Sequence, residues 1–233
     1  MGCDNLFHKR KAQKEAKHRR KMAKRDPYER VLIVCEGEKT EPNYFRWLRN
    51  RLGLNSANVV IADRKGGLDP KSLVEYAIDE YNKEKDFDNV YCVFDKDKHT
   101  TYDAALNQIA SKHFKGGGKL HAAQSVPCFE FWLLLHFRYT THQYDAPLDA
   151  SNCDLVINEI ERYIPGYEKG KKDFIPYLDG RAAGAVENAK RLEAFHETSG
   201  TDNPSTKVHL LLEYLKGLAR SAGTLPEDEL SGI

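Results

Sequence analysis

Two short apolar runs that end in acidic residues constrain the fold of this chain more than any other feature. The first run covers residues 31–35 and is followed directly by Glu36; the second covers residues 90–94 and is followed by Asp95 and Asp97. Each run is too short for a typical helix and is rich in β-branched or aromatic residues, so each predicts a buried strand. Ligands of an open α/β sheet bind just beyond the carboxyl ends of its strands. The sequence therefore predicts that the three acids meet at one edge of a sheet.

Three carboxylates in one crevice repel each other unless a cation lies among them. Hard oxygen ligands of this kind suit Mg²⁺ or Mn²⁺. Asp95 and Asp97 lie two residues apart, so both side chains point to the same side if the strand continues through them. The alternative is a polar turn after the strand, in which case Glu36 is an ordinary solvated acid. We interpret the pattern as a metal site formed by Glu36, Asp95 and Asp97.

Strand-like and helical segments alternate over the first part of the chain. Strands are predicted at residues 30–35, 58–62, 90–95 and 119–125. Helices are predicted after Thr40, after Asp69-Pro70, and at residues 102–114 and 129–137. This alternation indicates an α/β fold with a mainly parallel four-stranded sheet and helices on both faces.

The last ninety or so residues show helical segments, near residues 151–163, 180–196 and 206–219, and no convincing strand. The sequence thus predicts three parts: a basic N-terminal arm (1–29), a catalytic core (30–140) and an α-helical C-terminal extension packed on the core (141–233).

The basic arm contains a dense run of positive charge. Residues 9–25 read KRKAQKEAKHRRKMAKR, although the net charge of the whole chain is only +1. The run has no apolar stripe to bury, so it forms either a solvated helix or a disordered arm. We expect it to bind nucleic-acid phosphates in a salt-dependent way; the alternative is a solvated charge run that aids solubility. The expected phosphate contacts in the arm are Lys9, Arg10, Lys11, Arg19 and Arg20.

Further candidate site residues lie in the core. Glu130 lies within an apolar segment, where an unpaired carboxylate is costly, so we expect it to bind the metal or to lie beside a ligand. His136 is a candidate catalytic histidine, with a hydrogen-bonded core histidine as the alternative. Lys39, Arg64 and Lys65 are candidates for contact with nucleic-acid phosphates.

Three more positions have open alternatives. Glu41 is near enough to Glu36 to join the metal site, or it simply favours the positive end of the following helix. His99 is either a proton donor or acceptor at the site or a surface residue. Residues 203–206 resemble a helix start, which receives either a phosphate or only its own N-cap hydrogen bond.

Three segments resemble one protein family. They are residues 34–45 (VCEGEKTEPNYF), residues 126–137 (VPCFEFWLLLHF) and residues 203–209 (NPSTKVH). A Glu-Gly strand end followed by a strand that ends Asp-x-Asp resembles the Toprim fold of topoisomerases, primases and some nucleases. The three segments in this order resemble more narrowly the RloB family, whose members are Toprim-like proteins found near bacterial restriction and phage-defence genes. The resemblance runs from about residue 31 to residue 215.

The resemblance implies a Toprim-like catalytic core. It implies that Glu36 acts as a metal ligand or a general acid or base, and that Asp95 and Asp97 are the acidic pair that completes the site. It also implies a role in bacterial defence against phage, with a defence-system protein as a possible partner.

Several function classes lack the motifs that they require. The sequence has no G-x-x-x-x-G-K-[ST] phosphate loop and no zinc-type spacing of Cys and His. No apolar stretch approaches the roughly twenty residues that span a bilayer, and the first residues lack the apolar part of a secretory signal. The five cysteines are odd in number and show no C-x-x-C spacing. We therefore expect a cytoplasmic protein with no membrane partner.

The leading hypothesis is a Mg²⁺- or Mn²⁺-dependent nuclease that hydrolyses phosphodiesters of RNA or DNA. One alternative is a nucleotidyl transferase of the primase type, although no nucleotide-recognition motif is evident. Another is a non-catalytic nucleic-acid-binding subunit that keeps the acids only to hold a structural cation.

Overall fold

The computed structural model describes residues 29–63, 66–96, 99–147 and 150–233. The basic arm up to residue 28 lies outside the described residues, and so do Arg64, Lys65 and Asp97. The predictions for these positions remain predictions.

Four parallel strands form the central sheet. They are β1 (Val31–Cys35), β2 (Val59–Ile61), β3 (Asn89–Val93) and β4 (Lys119–Ala122). Their order in the sheet is β2-β1-β3-β4, and every neighbouring pair is parallel. This confirms the α/β class and the parallel four-stranded sheet. Because all four strands run the same way, their carboxyl ends share one edge of the sheet.

Both faces of the sheet are buried, which explains why its strands read as continuous apolar runs. Along β1, Val31 and Ile33 belong to one apolar cluster, whereas Leu32 and Val34 belong to the cluster on the other face. The period of two in a strand separates these side chains.

Helices cover both faces, as predicted. The second cluster packs α2 (Pro70–Glu84) and α3 (Tyr102–Ser111) against Leu32 and Val34. The first cluster packs α1 (Thr40–Arg51) and α4 (Phe129–Leu135) against the opposite face. Helix α4 is short but almost wholly buried, so it is a central part of that core.

The C-terminal part of the chain is mainly helical, which confirms the predicted extension. Its helices are α5 (Asn152–Ile160), α6 (Ile175–Leu178), α7 (Ala182–Ser199), α8 (Val208–Ala222) and α9 (Glu227–Gly232). They share one apolar cluster with α4, through side chains such as Val156, Leu192 and Leu215. No helix of the described residues is long and apolar enough to cross a membrane.

A second, two-stranded sheet corrects two predictions. The strand predicted at 119–125 divides into β4 and a separate short strand β5 (Ser125–Val126), which pairs antiparallel with β6 (Ser205–Thr206). The C-terminal part therefore contains a strand, and α8 begins at Val208 rather than near residue 206. The sequence did not reveal β6 because two residues carry no periodicity, and the pairing joins segments that are far apart in the chain.

The start of α2 provides a test of the fold. Asp69 caps the helix: its Oδ1 accepts hydrogen bonds from Lys71 N–H (3.1 Å), Ser72 N–H (3.4 Å) and the Thr101 hydroxyl (2.7 Å). We expect Asp69→Ala to lower the free energy of unfolding by about 1–2 kcal/mol in urea denaturation. The control Asp79→Ala, at an exposed position of the same helix, should change it by less than about 0.5 kcal/mol.

The contribution of the Asp69 cap to stability depends on pH. Hydrogen bonds from Ser72 and Thr101 lower the pKa of Asp69 from 3.8 to about 2. The stabilisation is therefore present above about pH 3.8 and is lost as the pH falls towards 2. Equal stability of the wild type and Asp69→Ala at neutral pH would contradict the capping role.

Candidate active site

A cleft of about 580 Å³ lies at the carboxyl edge of the sheet. Its described lining residues include six carboxylates but only two lysines. The carboxylates are those of Glu36, Glu38, Glu41, Asp95, Glu130 and Asp154, and the lysines are Lys39 and Lys169. The cleft is therefore strongly acidic. Because β1 and β3 are neighbours in the sheet, the strand order by itself brings Glu36 and Asp95 together.

Glu36 lies directly after β1 and is held from two sides. Its backbone N–H donates to Val93 O at 2.9 Å, which continues the pairing of β1 with β3. Its Oε2 accepts a hydrogen bond from Asp95 N–H at 2.9 Å, and its Oε1 lies 2.9 Å from His99 Nε2. The side chain is only 15% exposed. Glu36 is thus oriented in the cleft as predicted, and His99 lies at the site rather than elsewhere on the surface.

Asp95 lies beyond the end of β3 and faces the other acids. Withdrawal of its carboxyl group from water raises its pKa well above 3.8, and the nearby charges of Glu41, Glu130 and Glu36 raise it further. Lys169 opposes this effect. A carboxylate that is this unfavourable in its charged form gains much from a bound cation.

Glu41 joins the site from the first turn of α1. It is only 7% exposed, and its Oε1 accepts a hydrogen bond from Gly37 N–H at 3.2 Å. A Cβ atom at position 37 would overlap this carboxylate, so the glycine is required for the close approach. Burial, with repulsion from Glu130 and Glu36, raises the pKa of Glu41 to about 7.

Glu130, in the first turn of α4, is 2% exposed and has several partners. The Tyr167 hydroxyl donates to its Oε1 at 3.2 Å, and Lys169 Nζ lies 3.2 Å from its Oε2. Cys153 Sγ also lies 3.2 Å from Oε2. Cys153 forms a disulfide with Cys128, and both line the wall of the cleft next to Glu130. The buried carboxylate predicted from the apolar segment is therefore paired and lies at the site.

Lys169 brings positive charge to the acids from the loop between α5 and α6. Burial of its ammonium group lowers its pKa, but the attraction of Glu130 and Asp95 outweighs this and raises the pKa overall. Lys169 thus stays charged beside Glu130. The backbone next to it is anchored to α1, because Gly170 N–H donates to the Thr40 hydroxyl at 2.9 Å.

The carboxylates of the cleft do not form a compact group of three ligands among the described residues. Within the described parts of the chain, one group of three donors has all its atoms within 4.8 Å of one another: Cys128, Glu130 and Cys153. Two of these donors are sulfur atoms joined to each other, so this group is not an oxygen cage. The carboxylates instead line a wider cleft. Mg²⁺ fits such a site, since it retains several waters and binds to one or two carboxylates.

Some predicted site residues lie away from the cleft or outside the described chain. His136 lies at the end of α4 in the core, where its Nδ1 contacts Trp132 O at 3.0 Å and its ring packs against that of Tyr44. Burial lowers the pKa of His136 to about 4, so it is a neutral core histidine, the alternative reading of the sequence. Lys39 lines the cleft, and its contact with a phosphate remains a prediction.

Residues 203–206 do not form the expected helix start. Ser205 and Thr206 form β6, and their backbone groups pair with β5. The segment is therefore not a helix end that could receive a phosphate. Arg64, Lys65 and Asp97, like the arm residues, are not among the described residues.

Sequence reasoning missed Tyr167, Lys169 and the pair Cys128 and Cys153. Lys169 belongs to a loop rich in lysine and glycine, and nothing in that local sequence separates it from its neighbours Lys171 and Lys172. The only available signal was the need of the buried Glu130 for a partner, which does not identify that partner.

A larger cavity of about 700 Å³ lies elsewhere, between the end of α1 and α8. Among the described residues that line it, Glu29 is the one carboxylate, and none is a lysine, an arginine or a histidine. It offers no comparable chemistry, so the acidic cleft is the candidate active site.

The structure is that of a parallel α/β protein with an acidic cleft at the carboxyl edge of its sheet. The family model for RloB-like proteins matches residues 31–215, most of the chain. The chain therefore belongs to the RloB-like family. No match was found among curated proteins, and none among solved structures.

The raised pKa of Glu41 predicts how stability depends on pH in metal-free buffer. The folded protein binds the proton more tightly than the unfolded chain, whose pKa is near 4.5. Stability should therefore fall as the pH rises from about 4.5 to about 7, by on the order of 3 kcal/mol from this group. Glu41→Gln should remove this part of the pH dependence in urea denaturation.

The control for this measurement is Glu75→Gln, at an exposed position of α2. It should leave the pH profile unchanged. Parallel profiles for Glu41→Gln and the wild type would contradict the raised pKa of Glu41.

Proposed function

We propose that this RloB-like protein is a metal-dependent nuclease that hydrolyses phosphodiester bonds of RNA or DNA. The observation that supports this most is the convergence of Glu36, Glu41, Asp95 and Glu130 on one cleft at the carboxyl edge of the sheet. Burial, together with repulsion between these carboxylates, raises the pKa values of Glu41 and Asp95, which is costly to the folded protein. Structures retain such costs at functional sites more often than elsewhere.

The residues at the ends of β1 and β3 would hold the cation. Glu36 and Asp95 would bind Mg²⁺ or Mn²⁺, and Glu41 and Glu130 add negative charge to the same cleft. Asp97 is expected to join them, as the Asp-x-Asp pattern predicts. Bound in this position, the ion supplies an activated water molecule and neutralises charge on the phosphate.

The protein supplies orientation and positive charge. His99 Nε2 lies 2.9 Å from Glu36 Oε1, so this imidazole holds one oxygen of Glu36 while Asp95 N–H holds the other. Lys169 and Lys39 line the cleft and would contact the oxygens of the scissile phosphate. The cleft is thus suited to a substrate that is anionic and that brings its phosphate to a cation.

The biological setting is part of the same proposal. A nuclease of the RloB-like family fits a role in bacterial defence against phage, by cutting host or invading nucleic acid. The basic arm, with Lys9, Arg10, Lys11, Arg19 and Arg20, would raise the affinity for the nucleic acid. A partner protein of a defence system would restrain or trigger the activity.

The proposed reaction predicts a metal-dependent cut that Asp95 controls. The assay is cleavage of end-labelled single- and double-stranded DNA, RNA and bulk tRNA, in Mg²⁺, Mn²⁺ or EDTA. Asp95→Asn should lower the cleavage rate more than about 100-fold because it removes a charged metal ligand, while nucleic-acid affinity is retained. Asp79→Asn, on the exposed face of α2, is the matched control.

Two outcomes would contradict the proposal. One is equal cleavage by Asp95→Asn and the wild type. The other is the absence of cleavage by the wild type on every substrate although it binds nucleic acid and cation; that result would favour a binding subunit.

Substitution of Lys169 should affect cleavage rate and metal affinity differently from substitution of a metal ligand. Lys169→Met removes the ammonium group 3.2 Å from Glu130 Oε2 and frees a negative charge in the cleft. We expect about 10- to 100-fold slower cleavage, with an Mn²⁺ affinity equal to or higher than that of the wild type. The matched control is Lys171→Met, which removes a lysine that pairs with the exposed Glu168. Equal rates for the two variants would show that Lys169 has no role in the reaction.

A further inference from the structure

Asp95 lies two residues beyond the end of β3, so the parallel pairing of β1 with β3 does not by itself hold it. Ser125 holds the backbone on both sides of it. Ser125 N–H donates to Phe94 O at 3.0 Å, and Lys96 N–H donates to Ser125 O at 2.9 Å. These two hydrogen bonds form a parallel bridge between Asp95 and Ser125 that extends the sheet at its carboxyl edge. The direction in which Asp95 points therefore depends on where Ser125 lies.

Ser125 is in turn held by Thr206, which follows it by eighty-one positions in the chain. The two hydroxyl oxygens lie 3.0 Å apart, and both side chains are buried, with exposed fractions of 1% and 3%. Thr206 Oγ1 also accepts a hydrogen bond from Val208 N–H at 3.2 Å. A hydroxyl has one proton and two lone pairs, so these two contacts are compatible and fix its orientation.

The segment around Thr206 contacts the same region at further points. Lys207 N–H donates to Gln124 O at 2.8 Å, next to Ser125. On the other side of Asp95, Lys96 Nζ lies 2.6 Å from the carboxylate of Asp202. Residues 202–207, which are not part of the central sheet, therefore contact Lys96, which follows Asp95, and Ser125, which holds it. This segment includes the first five residues of the NPSTKVH sequence (203–209), for which the proposed reaction gives no role.

We propose that Thr206 is a positioning residue for Asp95 and acts through Ser125. The inference rests on the proposed function, in which Asp95 binds the cation. Ligands of a metal have to lie within about 0.5 Å of the productive geometry. Loss of a partner that orients a ligand typically lowers the metal affinity about 10- to 100-fold. Loss of the buried hydroxyl pair leaves Ser125 Oγ and Val208 N–H without their partner, so the bridge to Asp95 loosens.

The experiment compares the Mn²⁺ affinity of four full-length proteins by titration calorimetry, at a temperature where all are folded. Thr206→Val keeps the shape but removes the hydroxyl, and we expect about 10-fold weaker binding. Thr206→Ser keeps the hydroxyl and should bind within about 2-fold of the wild type. The matched control is Thr198→Val, whose hydroxyl donates to Phe195 O at the exposed end of α7, and it should match the wild type.

A double-mutant cycle tests whether the effect passes through Asp95. In an Asp95→Ala background, Thr206→Val should weaken Mn²⁺ binding no further. An equal further loss in that background would overturn the inference, since it would show a general effect on the fold. Ser125→Ala is the second variant: it should reproduce the loss, and in combination with Thr206→Val it should add nothing.

Failure of this inference differs from failure of the proposed function. Wild-type affinity in both Thr206→Val and Ser125→Ala, together with a loss in Asp95→Ala, overturns only the positioning role. No Mn²⁺ binding by the wild type would overturn the metal site and the positioning role together. If Thr206→Val does not fold, Ser125→Ala alone decides between these results.

Discussion

The parallel pairing of β1 with β3 is the constraint on which the site depends. Its register places Cys35 beside Val93, and both strands end at this point. Glu36 N–H then donates to Val93 O, and Asp95 N–H donates back to the Glu36 carboxylate. A shift of one residue in this register would turn every side chain of the strand to the opposite face and separate the two acids. The buried apolar faces of both strands prevent such a shift, so the packing of the core also sets the geometry of the cleft.

Convergence of the acids has an electrostatic cost that the surrounding structure only partly offsets. Burial disfavours the charged forms of Asp95 and Glu41, and the charge of Glu41 raises the pKa of Asp95 further. Lys169 offsets part of this repulsion, through its contact with Glu130. Under the proposed function, the remaining negative charge would attract a cation and, through the cation, a phosphate. Stability and proposed function are thus opposed at the same residues.

The C-terminal helices contribute to the cleft rather than only covering the core. The loop after α5 supplies Tyr167 and Lys169 to Glu130, and Cys153 of α5 is joined to Cys128 at the start of α4. The strand β6 pairs with β5, and Ser125 of β5 forms the bridge to Asp95 beyond the end of β3. Side chains of α5 and of the loop after it share one apolar cluster with the sheet and α4. The described lining of the cleft therefore extends from Glu36 to Gly170, although its first acids come from the central sheet.

The sequence by itself determined the features that depend on local pattern. Apolar runs with acidic ends predicted the strands before Glu36 and Asp95, and the alternation of strands and helices predicted the parallel sheet. The cost of a carboxylate in an apolar segment pointed to Glu130. Even the uncertain positions Glu41 and His99 were identified as candidates, because they lie close in sequence to the two strand ends.

Only the tertiary structure decided which distant residues meet these acids. Lys169 lies beside Glu130 across thirty-nine positions, and Thr206 lies beside Ser125 across eighty-one. Nothing in the local sequence separates Lys169 from Lys171, or marks two residues as the strand β6, because their roles depend on contacts made after the chain folds. His136 shows the converse: its motif was apparent in the sequence, but packing against Trp132 and Tyr44 placed it in the core. Periodicity specifies what a segment buries, whereas the partner of a polar side chain is specified by topology.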